Sequence, residues 1–442
     1  MELTSESALA LAPDEASAKA ARGLAAPGKW PSLGCADTVV WGECKGSGAK
    51  PYQVEIELSG PAFKCSCPSR KFPCKHALAL LLLRVRDEAA FARGEAPDWV
   101  KEWLDAREKR AAKQEEKEHN ARPADPEAAA KREAARLKRM AAGLDELERW
   151  MCDLVRHGLG QLADSPDWEE GPAARMVDAQ LPGMAARLRA LHGVTASRSD
   201  WTRIVAAQFG QAQLLIDAFR RIDALAPAER QDIRSALGLV PDKDAVLASG
   251  ERVRDAWLVL GVGYLEEGTL WSRRVWLRGQ ESGRTALLLD FSHGGKQFEG
   301  TFIPGSLAAL TLAFYPSASP LRALALEPPV LSGTASAPVV PLRAALEILA
   351  KRIAAQPWQW PLPMLVGDGV PTRTDETWHL RTPEGDRLPL AVGDDDGWQL
   401  LAQGGGRGLS VWGEWDGTGL RPLSAWEPGA SGAPLWREGG GI

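Results

Sequence analysis

Long hydrophobic runs are missing from this chain. The longest purely apolar stretch is Ala77 to Leu83, far short of the ~20 residues that a membrane-spanning helix needs, so no membrane association is expected. Cysteine is scarce, and six in 442 residues exclude the disulfide scaffold of a small secreted domain. Neither sign of charge prevails: 53 Lys and Arg stand against 58 Asp and Glu, for a formal net charge of −5. That balance argues against a histone-like or ribosomal role for the whole chain. The opening residues Met1-Glu2-Leu3-Thr4-Ser5-Glu6 hold neither the basic stretch nor the apolar core of a secretion signal, and the expected location is the cytoplasm. No fixed-period repeat points to a solenoid or a propeller. Tyrosine is nearly absent, 3 against 18 Trp. In a chain rich in Ala, Gly, Leu and Arg, the base composition of the genome explains that balance better than function does.

What is present is ordinary for a folded soluble protein, with 45% apolar and 25% charged residues. At roughly 100–200 residues per domain, the length allows two to four domains. An Ala-rich stretch from Asp14 to Ala25 reads as a short helix. Residues 38–41 and 52–58 are strand-like, and Gly46-Ser47-Gly48 between them signals a turn, so 38–58 reads as a hairpin. A cysteine-rich loop follows, then a helix over 77–86. Residues 101–149 carry 13 basic and 12 acidic residues, interrupted by Pro123-Ala124-Asp125-Pro126, which marks a boundary. Leu137, Met140, Leu144, Leu147, Met151 and Leu154 recur at three- and four-residue steps, the signature of an amphipathic helix. Further helices are expected at 172–191, 200–222 and 227–238, giving a small bundle. Strand patterns take over from Val253, at 257–262, 270–277 and 285–291, with one helix at 341–355 and short strands and turns over 376–426. The expected fold class is α+β and multidomain: a small ββα unit around the cysteine-rich loop at the N-terminus, a helical middle and a β-rich C-terminal region. The corresponding division is the ββα unit at 35–86, a charged helix or linker at 87–126, a helical domain at 127–240 and a β-rich domain of unknown type at 250–442.

The chemistry gathers in one place. Cys65 and Cys67 are separated by one residue, Cys74 and His76 by one residue, and six residues lie between the pairs. Three thiolates and one imidazole complete a tetrahedral shell for Zn2+, a borderline-soft ion that prefers these donors. With four protein ligands no position is left for water, so such an ion is structural and not catalytic. Pro68 and Pro73 stiffen the loop that must close around it. The competing reading, four residues merely buried or redox-active, fits the spacing poorly.

This constellation resembles the SWIM zinc finger, whose pattern is C-x-C, a variable spacer, then C-x-H. It is met here by Cys65-Ser66-Cys67 and Cys74-Lys75-His76. The resemblance covers about residues 35–86. It implies a hairpin before the ligands, a helix after them, Zn2+ as cofactor, and binding of DNA or other proteins as the role. No helicase, transposase or kinase motif accompanies the finger.

From Pro61 to Arg86 there are six basic residues and no acidic one: Lys64, Arg70, Lys71, Lys75, Arg84 and Arg86. Phe63 and Phe72 are interspersed among them. Such a loop can contact phosphates and stack on bases. Equally, the cations can balance ligand charge while the Phe residues pack around the metal. Arg70, Lys71 and Lys75 are the candidate nucleic-acid or partner contacts.

Other residues have weaker claims. Cys35 and Cys44 flank the first strand; they read as small buried residues, with a second metal site as the alternative. Cys152 is expected in a helix core. His293 reads as a turn histidine, Asp394-Asp395-Asp396 as a solvated hairpin turn, Gly404-Gly405-Gly406 as a flexible turn, and Trp412-Gly413-Glu414-Trp415 as sheet core. Glu115, Glu116 and Glu118, and Asp145, Glu146 and Glu148, read as helix surface. No catalytic residue and no small-molecule substrate is identified. The expected function is a non-enzymatic, zinc-dependent interaction protein with a protein or DNA partner. The alternative is an enzyme whose site lies in residues 250–442, with the finger as a targeting module.

Overall fold

The computed structural model describes residues 5–12, 15–45, 50–58, 62–69, 73–107, 126–165, 167–197, 200–293, 298 and 300–439. The expected hairpin forms from β2 (Val39–Cys44) and β3 (Tyr52–Glu57), antiparallel, with Val40 opposite Ile56 and Gly42 opposite Val54. Its turn at Gly46-Ser47-Gly48 lies outside the described residues. The hairpin is the centre of a larger sheet. Adding β1 (Ser32–Cys35), β4 (Ala62–Cys65) and β5 (Ala92–Arg93) gives five strands in the order β4-β3-β2-β1-β5, with β5 parallel to β1.

The following helix, α3 (Lys75–Arg86), explains the rest of this unit. Its residues Leu78 to Leu82 are completely buried. A helix that is apolar around its whole circumference must be covered on every side. Val40, Val54 and Ile56 of the sheet cover one side. The other is covered by α1 (Ser5–Ala10) and α2 (Glu15–Leu24), whose Ala8, Ala18 and Ala21 belong to the same core. On the far face of the sheet, Val39 and Trp41 pack against Val100 of α4, residues 98–107. Residues 108–125 lie outside the described residues, and with them Glu115, Glu116, Glu118 and the expected boundary at Pro123.

The helical middle is built from α5 (Pro126–His157), α6 (Glu170–Asp178), α7 (Pro182–Arg189), α8 (Val194–Ser197), α9 (Trp201–Arg220) and α10 (Pro227–Ala236). The stripe on α5 is realised: Met140, Leu144, Leu147 and Met151 are buried in one core, and Leu137 and Leu154 pack at its edge. Cys152 corrects the sequence reading, because it is exposed. One residue past Met151 turns a side chain ~100° around the helix, away from the core stripe. The single helix expected at 172–191 is two helices. Gln180 takes a left-handed conformation (φ 62°), and Pro182 opens α7 after a non-helical Leu181. Proline disfavours helical backbone in the residue before it.

After α11 (Lys243–Ser249) the chain becomes β-rich. Strands β6 (Glu251–Glu267), β7 (Leu270–Gly279), β8 (Thr285–His293), β9 (Ser306–Phe314), β10 (Arg322–Ala325) and β11 (Val330–Thr334) form one sheet. Because β10 pairs with β8 on one side and β9 on the other, the sheet closes into a five-stranded barrel, β6-β7-β8-β10-β9, with β11 outside it. Trp257, Val259, Val275, Leu277, Leu288, Leu310 and Phe314 share a single core, distinct from that of the second sheet. Then come α12 (Leu342–Ala355), as expected, and β12 (Leu362–Thr374), β13 (Thr377–Arg381), β14 (Arg387–Pro389), α13 (Asp394–Gly404), β15 (Leu409–Trp415), β16 (Leu420–Trp426) and β17 (Trp436–Arg437). The second sheet runs β14-β13-β12-β15-β16-β17.

α13 corrects two readings. Asp394-Asp395-Asp396 is the first turn of a helix and not a hairpin turn, and Gly404-Gly405-Gly406 is that helix's end, with Gly405 left-handed (φ 56°). Carboxylates in a first turn meet the positive end of the helix dipole, and glycine readily takes the left-handed position just past a helix. Asp394 also accepts hydrogen bonds from Arg373 (2.9 Å) and the Trp378 indole (2.9 Å).

Candidate metal centre

Strand β4, the loop after it and helix α3 deliver the four ligands. Cys65 ends β4, where it sits opposite Val54 of β3. Cys67 lies two residues on, in the loop. Cys74 caps the N-terminus of α3, its sulfur accepting the Ala77 N–H at 3.5 Å. His76 lies in the first turn of α3 and is 5% exposed. Burial of α3 from both sides therefore fixes the second ligand pair, and the β3–β4 ladder fixes the first.

Donor atoms of Cys65, Cys67, Cys74 and His76 all lie within 4.8 Å of one another. His76 turns Nδ1 inward, 3.9 Å from the Cys65 sulfur and 4.0 Å from that of Cys74. A tetrahedral ion with Zn–S of ~2.3 Å and Zn–N of ~2.0–2.1 Å separates sulfur from nitrogen by roughly 3.6 Å. The cluster thus has the donor set for Zn2+, and these two sulfur–nitrogen distances need only a few tenths of an ångström of contraction to match it. Tyr52 packs its ring on His76, 4.9 Å between centroids, and holds the imidazole plane.

The electrostatics of the cluster express the same demand for a cation. Hydrogen bonds from Cys65 and Cys74 pull the Cys67 thiol far below its usual range, and Cys65, on the donating side, is pushed above it. Burial works to lower the His76 pKa, but hydrogen bonds to Cys67 and Cys74 outweigh it and lift the value to about 9. A proton on His76 is the substitute cation when no metal neutralises the sulfurs.

Cys44 is completely buried beside this cluster, its thiol raised to about 11 by burial and then by Cys74. Cys35 is buried 4.0 Å from the Phe91 carbonyl oxygen. Neither belongs to a group of three or more metal-ligating side chains among the described residues.

The basic patch is smaller than the sequence suggests. Lys64 pairs at 2.9 Å with Glu55, a buried carboxylate opposite it in the ladder, and Arg84 pairs at 2.5 Å with Glu88 one helical turn on. Arg70 and Lys71 lie outside the described residues. Lys75 is exposed and borders a groove of about 590 Å³ beside Cys67 and His76, shared with Lys45, Tyr52, Ser17 and Ser69. Lys45 has no sequence signal, because it reaches the groove only when β2 is laid beside α3. Phe63 is buried in the core around the metal, the packing role the sequence allowed it; Phe72 lies outside the described residues.

The remaining sequence candidates sit apart. His293 is at the exposed end of β8, opposite Leu270, and not in a turn. Trp412 and Glu414 are buried in β15, as the sheet-core reading expects. Asp145 and Glu148 lie on the surface of α5, and both bind Arg220 of α9. Among the described residues no helix is long and apolar enough to cross a membrane.

Comparison with known proteins bears on two segments. The SWIM zinc finger family matches residues 52–84, and the SWIM-associated four-helix bundle domain matches residues 135–237. No curated protein and no solved structure matches the chain. With the Cys3His cluster inside the first match and most of the helical core of α5 to α10 inside the second, the chain carries a SWIM zinc finger followed by a SWIM-associated helical bundle.

Proposed function

We propose that this protein is a zinc-dependent interaction protein, in which Cys65, Cys67, Cys74 and His76 hold one structural Zn2+ and the groove beside that ion receives an acidic segment of a protein partner. The observation that carries the reading is the pairing of a saturated Cys3His set with a lysine-rimmed groove at its edge. Lys45 and Lys75, which line the groove, are exposed and make no ion pair among the described residues. They are therefore available to an anionic partner, whereas Lys64 and Arg84 are engaged within the chain. Arg70 and Lys71 extend the same charge in sequence. A protein partner is favoured over DNA because the groove is small and the chain as a whole is acidic.

The test is a pull-down with the full chain beside a DNA mobility shift at two salt concentrations. Lys45→Glu combined with Lys75→Glu is expected to abolish partner capture while zinc content stays at wild type. Retardation of DNA that collapses steeply with salt, and is lost in the same variant, would transfer the role to nucleic acid. Undiminished capture by the charge-reversed chain would remove the groove from the function.

A further inference from the structure

The helical middle holds a second group of metal-ligating side chains that no sequence motif joins. Asp167 and Glu169 precede α6, and His192 follows α7. His192 Nδ1 lies 2.6 Å from Glu169 Oε1 and 3.8 Å from Asp167 Oδ1, and the three donor atoms lie within 4.8 Å of one another. The backbone beneath them is fixed by packing. Trp168, between the two carboxylates, packs its ring on Trp150 (6.1 Å) and Phe209 (6.2 Å) in the bundle core. Leu191, just before His192, is buried in the same core. Arg189 grips Glu170 through two hydrogen bonds of 2.9 and 2.6 Å, which ties the two segments together and engages that guanidinium elsewhere.

Glu169 points independently to a ligand at this cluster. It is 2% exposed, and while Oε1 meets His192, Oε2 is buried and meets no hydrogen-bond partner. A carboxylate withdrawn from water needs its charge answered on both oxygens. One imidazole meets only Oε1 of that carboxylate, and Asp167 turns its Oδ1 towards the same nitrogen at 3.8 Å.

We propose that Asp167, Glu169 and His192 form a second metal site, open to solvent, for a divalent transition-metal ion of the Zn2+ type. The imidazole in the set selects against Ca2+ and Mg2+, which favour all-oxygen shells. Two carboxylates and one imidazole leave a fourth tetrahedral position to water. Because Asp167 and His192 are 73% and 66% exposed at the side chain, the ion exchanges with solvent and is held more weakly than the one in the finger. On binding, the proton between Nδ1 and Glu169 leaves to solvent and the metal takes its place.

The probe is Zn2+ itself, added to the full chain after a weak chelator has stripped labile metal. Wild type is expected to retain one equivalent and take up a second. Glu169→Gln and His192→Ala are each expected to weaken the second at least tenfold and leave the first in place. Glu170→Gln breaks the neighbouring ion pair but keeps all three donors, and it is expected to bind both. The site is refuted if wild type takes up no second equivalent, if Glu169→Gln binds it as tightly as wild type, or if Glu170→Gln loses it equally. Should His192→Ala fail to fold, Glu169→Gln decides.

Discussion

Cys74 has two roles at one position: its sulfur faces the metal cluster and also caps α3 through the Ala77 N–H. Loss of any ligand therefore loosens the helix that carries the other half of the set. Structural zinc of this type contributes ~10–16 kcal/mol of apparent binding energy near neutral pH, as much as a small domain's whole stability. Cys65→Ser and His76→Ala are thus expected to lose the finger's zinc and the cooperative unfolding of residues 5–107, read by metal analysis and circular dichroism. Zinc affinity is expected to fall as pH is lowered, since protons return to the thiolates and to His76, whose metal-free pKa is about 9; competition with a chelator across pH measures it. Glu55 poses a different demand. Burial raises its pKa, and Lys64 opposes the shift. Lys64→Ala leaves that carboxylate buried and alone, at an expected cost of about 1–3 kcal/mol, visible in the denaturant midpoint and relieved by adding Glu55→Gln.

Among the elements, helix contacts depend on residues whose roles are short-range in space and long-range in sequence. A Cβ on Gly42 would lie 2.8 Å from the Trp30 ring and 3.1 Å from Leu80 of α3. Gly42→Val is expected to push α3 off the sheet and lower both thermal midpoint and zinc retention. In the bundle, Arg220 on α9 holds Glu148 of α5, and its hydrogen bonds bring that carboxyl down to about 2. The sign follows from the depressed value. The pairing stabilises the fold above the ordinary glutamate range and is lost as pH falls from about 4.5 towards 2. Arg220→Ala is expected to flatten that acid limb in a denaturation series. The periodic stripe of α5 was legible because amphipathic spacing is local. The break at Gln180 was signalled by Pro182, whereas α13 was hidden, since three aspartates followed by glycine resemble a turn until the helix dipole is counted.

For the whole molecule, the barrel and the second sheet are joined by a buried polar contact. Glu414, 4% exposed at its side chain, accepts from the Arg274 guanidinium (2.7 Å) and the Trp276 indole (2.7 Å) of β7. Gly261 permits the approach of Leu423 and Trp412, each 3.0 Å from where its Cβ would be. Glu414→Ala is expected to leave Arg274 without its partner and cost about 3 kcal/mol. Limited proteolysis should then cut between the barrel and the second sheet.

The Cys3His cluster was legible in the sequence alone, because four donors within a dozen residues carry their chemistry wherever the chain leads. So were the hairpin, α3, the α5 stripe and most barrel strands, since residue periodicity reflects which face meets water. The tertiary structure alone decided what covers α3, that β10 closes a barrel, that Lys64 serves Glu55, and that Asp167, Glu169 and His192 meet. Each of these joins residues far apart in the chain, and their proximity comes from packing cores that no local pattern encodes.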